Sequence, residues 1–214
     1  MNISKLYSGV FRWLAIGLLV TFVTGFILAS NPSLLATFYS SNAWVVALVI
    51  QVGAALLFGF MLHKIDYSLC VILYLLYCVI TGITIGFLLT VYYLSSVIMI
   101  FGVTALIFAF LAFLGDKMNV DISKMGRILL FTLLGIIIVS IINLFIGSSS
   151  IELLLCIVSI IVFMGYVIYD LKIIEPLARE YGEDKVAVYG AFQLYIDFIN
   201  LFIRLLELFG RRRD

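Results

Sequence analysis

The sequence predicts an all-α polytopic membrane protein, a seven-transmembrane-helix bundle whose seventh helix is central and polar on one face. Three observations carry this prediction. Of the 214 residues, 65% are apolar and only 12% charged, whereas a soluble domain is near half apolar and a quarter charged. The apolar residues lie in runs long enough for spans of ~20 residues, and their total suffices for about seven of them. The last run carries a periodic row of polar and charged side chains. A mean hydropathy of +1.27 excludes a soluble enzyme, a nucleic-acid-binding protein and a disordered chain. Too few residues remain for a sizeable extramembrane domain, so 1–214 is expected to form a single transmembrane domain. The formal net charge of +1 generates no field that would draw in nucleic acid.

In chain order, the first run is 11–30. Lys5 and Arg12 precede it in the manner of a signal peptide. The apolar stretch Trp13–Ala29 exceeds a signal h-region, however, and no small-x-small cleavage site follows, so it reads as a span that stays. Asn31 and Pro32 end it. The second run, 42–62, is closed by His63, Lys64, Ile65 and Asp66; the third covers 67–90 and the fourth 94–115. The polar stretch from Asp116 to Arg127 leads to the fifth run, 128–146, and Gly147 to Ser150 form a tight turn. The sixth run, 151–175, is expected to stop at Pro176, because proline lacks the N–H and clashes with the preceding turn. A polar stretch, 178–185, leads to the seventh run, 186–209. No run shows the alternation of an outer-membrane barrel, and no internal repeat of the kind found in two-halved transporters is evident. Cys70, Cys78 and Cys156 fall inside apolar runs, which fits buried thiols and not a disulfide framework or a metal site. Trp13, Trp44, Tyr92 and Tyr93 stand at span ends as interface anchors.

Orientation follows from Lys and Arg. Segments 31–41, 91–95 and 147–150 contain neither. The N-terminal tail has Lys5 and Arg12, the next loop on that side Lys64, then Lys117, Lys124 and Arg127, then Lys172, Arg179 and Lys185. This alternation predicts a multi-pass protein of the cell (inner or plasma) membrane with a cytoplasmic N-terminus. Arg211, Arg212 and Arg213 then lie outside, against the rule, unless the seventh run re-enters. A full span is expected, because C-terminal runs of this length usually cross.

The chemistry concentrates in the seventh run. Gln193, Asp197, Asn200, Arg204 and Glu207 follow at steps of four, three, four and three, which puts them on one face of a helix. An Asp or Arg near a span's centre costs about 2.5–3.5 kcal/mol on insertion scales, so this face must point at other helices or at water. Arg204 and Glu207 read as a neutralising i, i+3 pair. Asp197 lies too deep to snorkel and needs a partner. Asp170 is expected to be that partner. It lies six residues before Pro176, ~9 Å along a helix, whereas Asp197 is ~16 Å into its run, a gap that tilt or a late helix start would close. Two carboxyls in contact in a low dielectric cannot both ionise cheaply and would titrate as a unit. Such a unit serves as a pH sensor, a cation site or the dyad of an aspartic protease.

Tyr169-Asp170-Leu171 at the end of the sixth run, and Leu194-Tyr195-Ile196-Asp197-Phe198-Ile199-Asn200-Leu201-Phe202 in the seventh, resemble the Bax inhibitor family (transmembrane Bax inhibitor motif proteins). Thr81-Gly82-Ile83-Thr84 in the third run is also similar to its pattern. The resemblance covers essentially the whole chain, and the short tails fit a bacterial member. It implies a seven-helix bundle with a central seventh helix and a pH-controlled calcium leak, with Asp170 and Asp197 as the paired aspartates. Bacterial relatives often carry an Arg at the cytoplasmic end of the second span, bonded to that pair. His63 and Lys64 stand there in this sequence. Lys64 can neutralise a carboxylate but lacks the bidentate fork of Arg. His63 is either a second group titrating near neutrality or an ordinary polar residue of the interface.

Three functions compete. The first is a calcium or other cation leak gated by Asp170 and Asp197, with weak calcium binding at the two carboxylates, no cofactor and no enzymatic activity. The second is an intramembrane aspartic protease. Such enzymes carry Gly-x-Gly-Asp and a later Pro-Ala-Leu, and neither motif is present. The third is regulation of other membrane proteins, such as a membrane protease. Gly82 with Gly86, and Ala55 with Gly59, supply small-residue faces for it, although such faces more often serve packing between adjacent spans. The partners expected are thus the lipid bilayer, calcium ions and other membrane proteins.

Overall fold

Polar side chains cap three of the helix starts. In the computed structural model, which describes residues 2–41, 43–61, 64–118 and 121–213, α1 (Ile3–Ala29) starts at Asn2, whose side chain accepts from the Lys5 N–H at 3.2 Å. Asp66 caps α4 (Tyr67–Val91) through the Leu69 N–H at 3.0 Å. Asp121 does the same for α6 (Ile122–Ile146) through Lys124. Each cap satisfies one of the orphan N–H groups at a helix start. The remaining helices are α2 (Pro32–Ser40), α3 (Ala43–Met61), α5 (Leu94–Lys117), α7 (Ser149–Tyr181) and α8 (Glu183–Phe209).

Six of these, α1, α4, α5, α6, α7 and α8, are long and apolar enough to cross a membrane. The predicted second span falls on α3, of which Val45–Ala55 is the apolar stretch among the described residues, so a seventh crossing is not established. The Trp44 side chain and the surroundings of Gly59, both on α3, lie outside what the structure describes. The predicted segment 31–41 is mostly helix: Pro32 supplies a first helical position whose missing N–H costs nothing.

Several helices extend past the apolar runs that predicted them, α1 already from Ile3 where the first run begins at 11. The fifth helix-forming run begins at Ile122 and not at 128, since Asp121 caps it. The seventh begins at Glu183 and not at 186, where Glu183 and Asp184 suit the positive end of the helix dipole. Pro176, expected to stop the sixth, lies inside α7, which continues to Tyr181. The tolerated proline has buried Ile174 and Ala178 on either side of it. Their burial holds the helix through a position where one backbone hydrogen bond is lost. The turn then falls at Gly182, whose φ of +91° is open to glycine and costly for other residues.

The chain divides into two compact units, one formed by Met1–Leu94, Leu177–Phe192 and Arg212–Asp214, the other by Ser95–Pro176 and Gln193–Arg211. In the first unit, α1 and α4 pack closely. Thr21 Oγ1 donates to the Cys78 carbonyl at 3.0 Å, and the Tyr74 hydroxyl to that of Trp13 at 2.9 Å. A Cβ at Gly82 would lie 2.6 Å from the Thr21 carbonyl oxygen, and one at Gly86 3.1 Å from that of Gly25. The glycines thus let two backbones meet, the usual solution for helices packing in lipid. Phe192 of α8 stacks on Phe58 at a centroid distance of 4.1 Å and meets Tyr77 edge-on at 5.0 Å.

In the second unit, Leu129 and Ile136 of α6 and Val162 of α7 form a small core, and Gly165 makes room for Leu129. Phe198 of α8 meets Phe101 and Phe108 of α5 at 5.2 and 5.6 Å. The outer face of α6 is open, with Leu144 and Phe145 more than four-fifths exposed, as a lipid-facing helix requires. By contrast 78% of the most apolar stretch of α8 is buried, against 11–33% in the other five long helices. The helix with the lowest hydropathy of the six is therefore the one most sheltered. The thiols of Cys70, Cys78 and Cys156 are buried and in no disulfide.

Candidate functional site

Two carboxyl groups define the site, and both belong to the second unit. Asp170 on α7 and Asp197 on α8 are each 3% exposed, and their side chains share a hydrogen bond. A carboxylate only accepts, so a hydrogen bond between two carboxyls requires one of them to carry the proton. The second oxygen of Asp197, Oδ2, is buried without a hydrogen-bond partner among the described residues.

The extension of α7 through Pro176 bears directly on this meeting. Measured from the ends that flank Gly182, Asp170 lies about eleven residues back along α7 and Asp197 about fourteen along α8. At 1.5 Å per residue the two depths differ by ~4 Å, less than the ~7 Å expected from a helix ending at Pro176. Farther along the same pair of helices, Cys156 donates to the Arg204 carbonyl at 3.2 Å.

Asn200, Arg204 and Glu207 of the polar row find partners on α8 itself. Gln193 is half-buried one turn before Asp197. Asn200 turns back on its own helix, donating to the Ile196 carbonyl at 2.8 Å. Arg204 pairs with Glu207 at 2.7 Å, both side chains about a third exposed. Lys64 is exposed in the turn before α4, in the other unit, and His63 lies outside the described residues. Among the described residues no three His, Cys, Asp or Glu side chains group as metal ligands would.

Two residues of this unit escape a reading by motif. Tyr166, one turn before Asp170 on α7, lies within electrostatic range of both carboxyls. Its i, i+4 spacing to Asp170 was the available signal. Ser159, deeper in α7, is 1% exposed with its hydroxyl unpartnered among the described residues. A lone serine in an apolar run offers no signal at all.

Comparison with known proteins places the chain in a family. Residues 3–214 match the family described as "Inhibitor of apoptosis-promoting Bax1". The chain belongs to the Bax inhibitor family. Relatives span its length: a protein of Borreliella burgdorferi is 33% identical over 99% of this chain and 94% of its own. The Inner membrane protein YbhL of Escherichia coli K12 is 28% identical over 95% of this chain and 90% of its own. A Deinococcus radiodurans protein is 30% identical over 95% and 89%. The chain is therefore a Bax inhibitor-family integral membrane protein, similar throughout to bacterial relatives, one of them named for the inner membrane.

Proposed function

We propose that this Bax inhibitor-family protein mediates a pH-sensitive leak of calcium, or of cations generally, gated by Asp170 and Asp197. The observation that supports the reading most is the buried hydrogen bond between the two carboxyls. While they share a proton, the pair carries one negative charge and is tied together across α7 and α8. Loss of that proton leaves two adjacent anions that repel one another and attract a hard cation. Leak should therefore rise as pH rises through the titration of the pair. Two carboxylates make a weak site, suited to passage and not to storage. No catalytic role and no cofactor is assigned.

In this reading α8 is the central helix, the N-terminus is cytoplasmic and α3 completes seven crossings. The C-terminal tail fits a full crossing of α8. Arg213 N–H donates to the Val91 carbonyl at 2.8 Å, and Arg212 bonds the Tyr92 hydroxyl at 3.3 Å, so the tail lies beside the end of α4. The regulatory alternative, binding of other membrane proteins, loses one of its surfaces, since Gly82 and Gly86 are covered by α1.

The test is calcium flux in liposomes reconstituted with the full chain, against protein-free liposomes and against Asp170→Asn and Asp197→Asn. Flux above the protein-free rate that changes in both variants supports the leak. Flux indistinguishable from protein-free liposomes overturns it, and cleavage of a membrane substrate lost in both variants would make the pair a protease dyad instead.

A further inference from the structure

The first unit holds a cavity of about 70 Å³ at the place where α1, α4 and α8 all begin. Its walls carry Lys5, Arg12 and Trp13 from α1, Tyr67 from α4, and Glu183 and Asp184 from α8. Its floor is a helix crossing: Gly9 lies so close to α8 that a Cβ there would be 3.1 Å from that of Ala187. Arg12 and Trp13 line it from the third turn of α1, and Lys5, Tyr67, Glu183 and Asp184 from the first turns of their helices.

Three features restrict what would fill it. All three helices are long and apolar enough to span a membrane, so their common starting end lies at a membrane surface, where Trp13 and Tyr67 suit the headgroup layer. The four ionisable side chains are two cations and two anions, and their formal charges cancel. A ligand with a net negative charge would meet Glu183 and Asp184 as well as Lys5 and Arg12. Glu183 already accepts from the Asn2 N–H at 2.9 Å, which leaves Asp184, exposed on the first turn of α8, as the group facing an incoming ammonium.

We propose that this cavity binds the headgroup of a zwitterionic aminophospholipid. Lys5 and Arg12 take the phosphate, Asp184 takes the primary ammonium, and Trp13 and Tyr67 flank the glycerol region. Arg suits phosphate because its planar fork donates two parallel hydrogen bonds. A primary ammonium can donate to Asp184, whereas the quaternary ammonium of phosphatidylcholine has no N–H to give. The site should therefore discriminate between two lipids of identical net charge.

The sequence supplies the reporter. Trp13 and Trp44 are the two tryptophans, so in the full chain carrying Trp44→Phe the emission comes from Trp13 alone. Short-chain phosphatidylethanolamine, phosphatidylcholine and phosphatidylglycerol, and water-soluble phosphoethanolamine, are each titrated against the detergent-solubilised protein. Phosphatidylethanolamine should half-saturate the Trp13 signal at a concentration about threefold below phosphatidylcholine, the scale of one exposed charge-assisted contact. Asp184→Asn should bring the two lipids together and Asp184→Glu should separate them again. Arg12→Gln should weaken both equally. Equal half-saturation by the two lipids in the unaltered site, tighter binding of phosphatidylglycerol, or a match between soluble phosphoethanolamine and the lipid would each overturn the proposal. The lipid comparison in the unaltered site stands even if a variant fails to fold.

Discussion

Asp170 and Asp197 meet by a hydrogen bond across α7 and α8, each 3% exposed. Such a bond needs a proton held between the two groups. Two carboxyls in contact in a low dielectric cannot both ionise cheaply, so the pair behaves as one unit and not as two independent groups.

The turn between α7 and α8 gives a first prediction. Gly182 has φ of +91°, a conformation that costs L-residues roughly 1–2 kcal/mol. Gly182→Ala is expected to lower thermal stability by that amount, measured by the unfolding midpoint in detergent. An unchanged midpoint would show that the turn relaxes freely.

Close approach of α1 and α4 gives a second prediction. Gly82→Val places a branched side chain against the Thr21 backbone, where even a single Cβ comes within 2.6 Å. Overpacking of this kind costs about 1–3 kcal/mol. Loss of monodisperse protein or a clearly lowered midpoint is the expected outcome.

The Arg204–Glu207 pair is partly exposed, and pairs of this kind are worth ~0–1 kcal/mol. Replacing both by Gln should leave stability within about 0.5 kcal/mol and leave cation leak unchanged. A large change in leak would assign the pair a role in conduction.

Ser159 offers a test with the opposite sign. Its hydroxyl is buried and unpartnered among the described residues, so Ser159→Ala removes a desolvated polar group and should raise stability by roughly 1 kcal/mol. A fall in stability, read from the same unfolding midpoint, would mean that the hydroxyl is satisfied in the membrane.

How much of this was legible in the sequence differs from residue to residue. Asp197 announced itself, because an acidic residue at the centre of an apolar run has few explanations. Asp170 followed from its position near the same end of the neighbouring run. The path of the backbone between them was not legible. Pro176 reads as a helix stop by local chemistry, yet the buried residues around it carry α7 to Tyr181, and that extension brings the carboxyls closer in depth. Helix starts at Ile122 and Glu183 were missed for a related reason: capping and first-turn residues are polar, and an apolar count trims them away. The cavity lined by Lys5, Arg12 and Asp184 joins residues from opposite ends of the chain, and no run-by-run reading could place them together.

The most direct test of the gating account is the pH profile of calcium leak in liposomes, compared between the unaltered protein and Asp197→Asn. An Asn side chain can donate to Asp170 as a protonated carboxyl does, so this variant keeps the hydrogen bond without a proton to lose. The account predicts leak that rises about tenfold from roughly pH 5 to pH 8 in the unaltered protein, equivalent to ~1.4 kcal/mol, and low, pH-independent leak in Asp197→Asn. Identical pH profiles for the two proteins would contradict it.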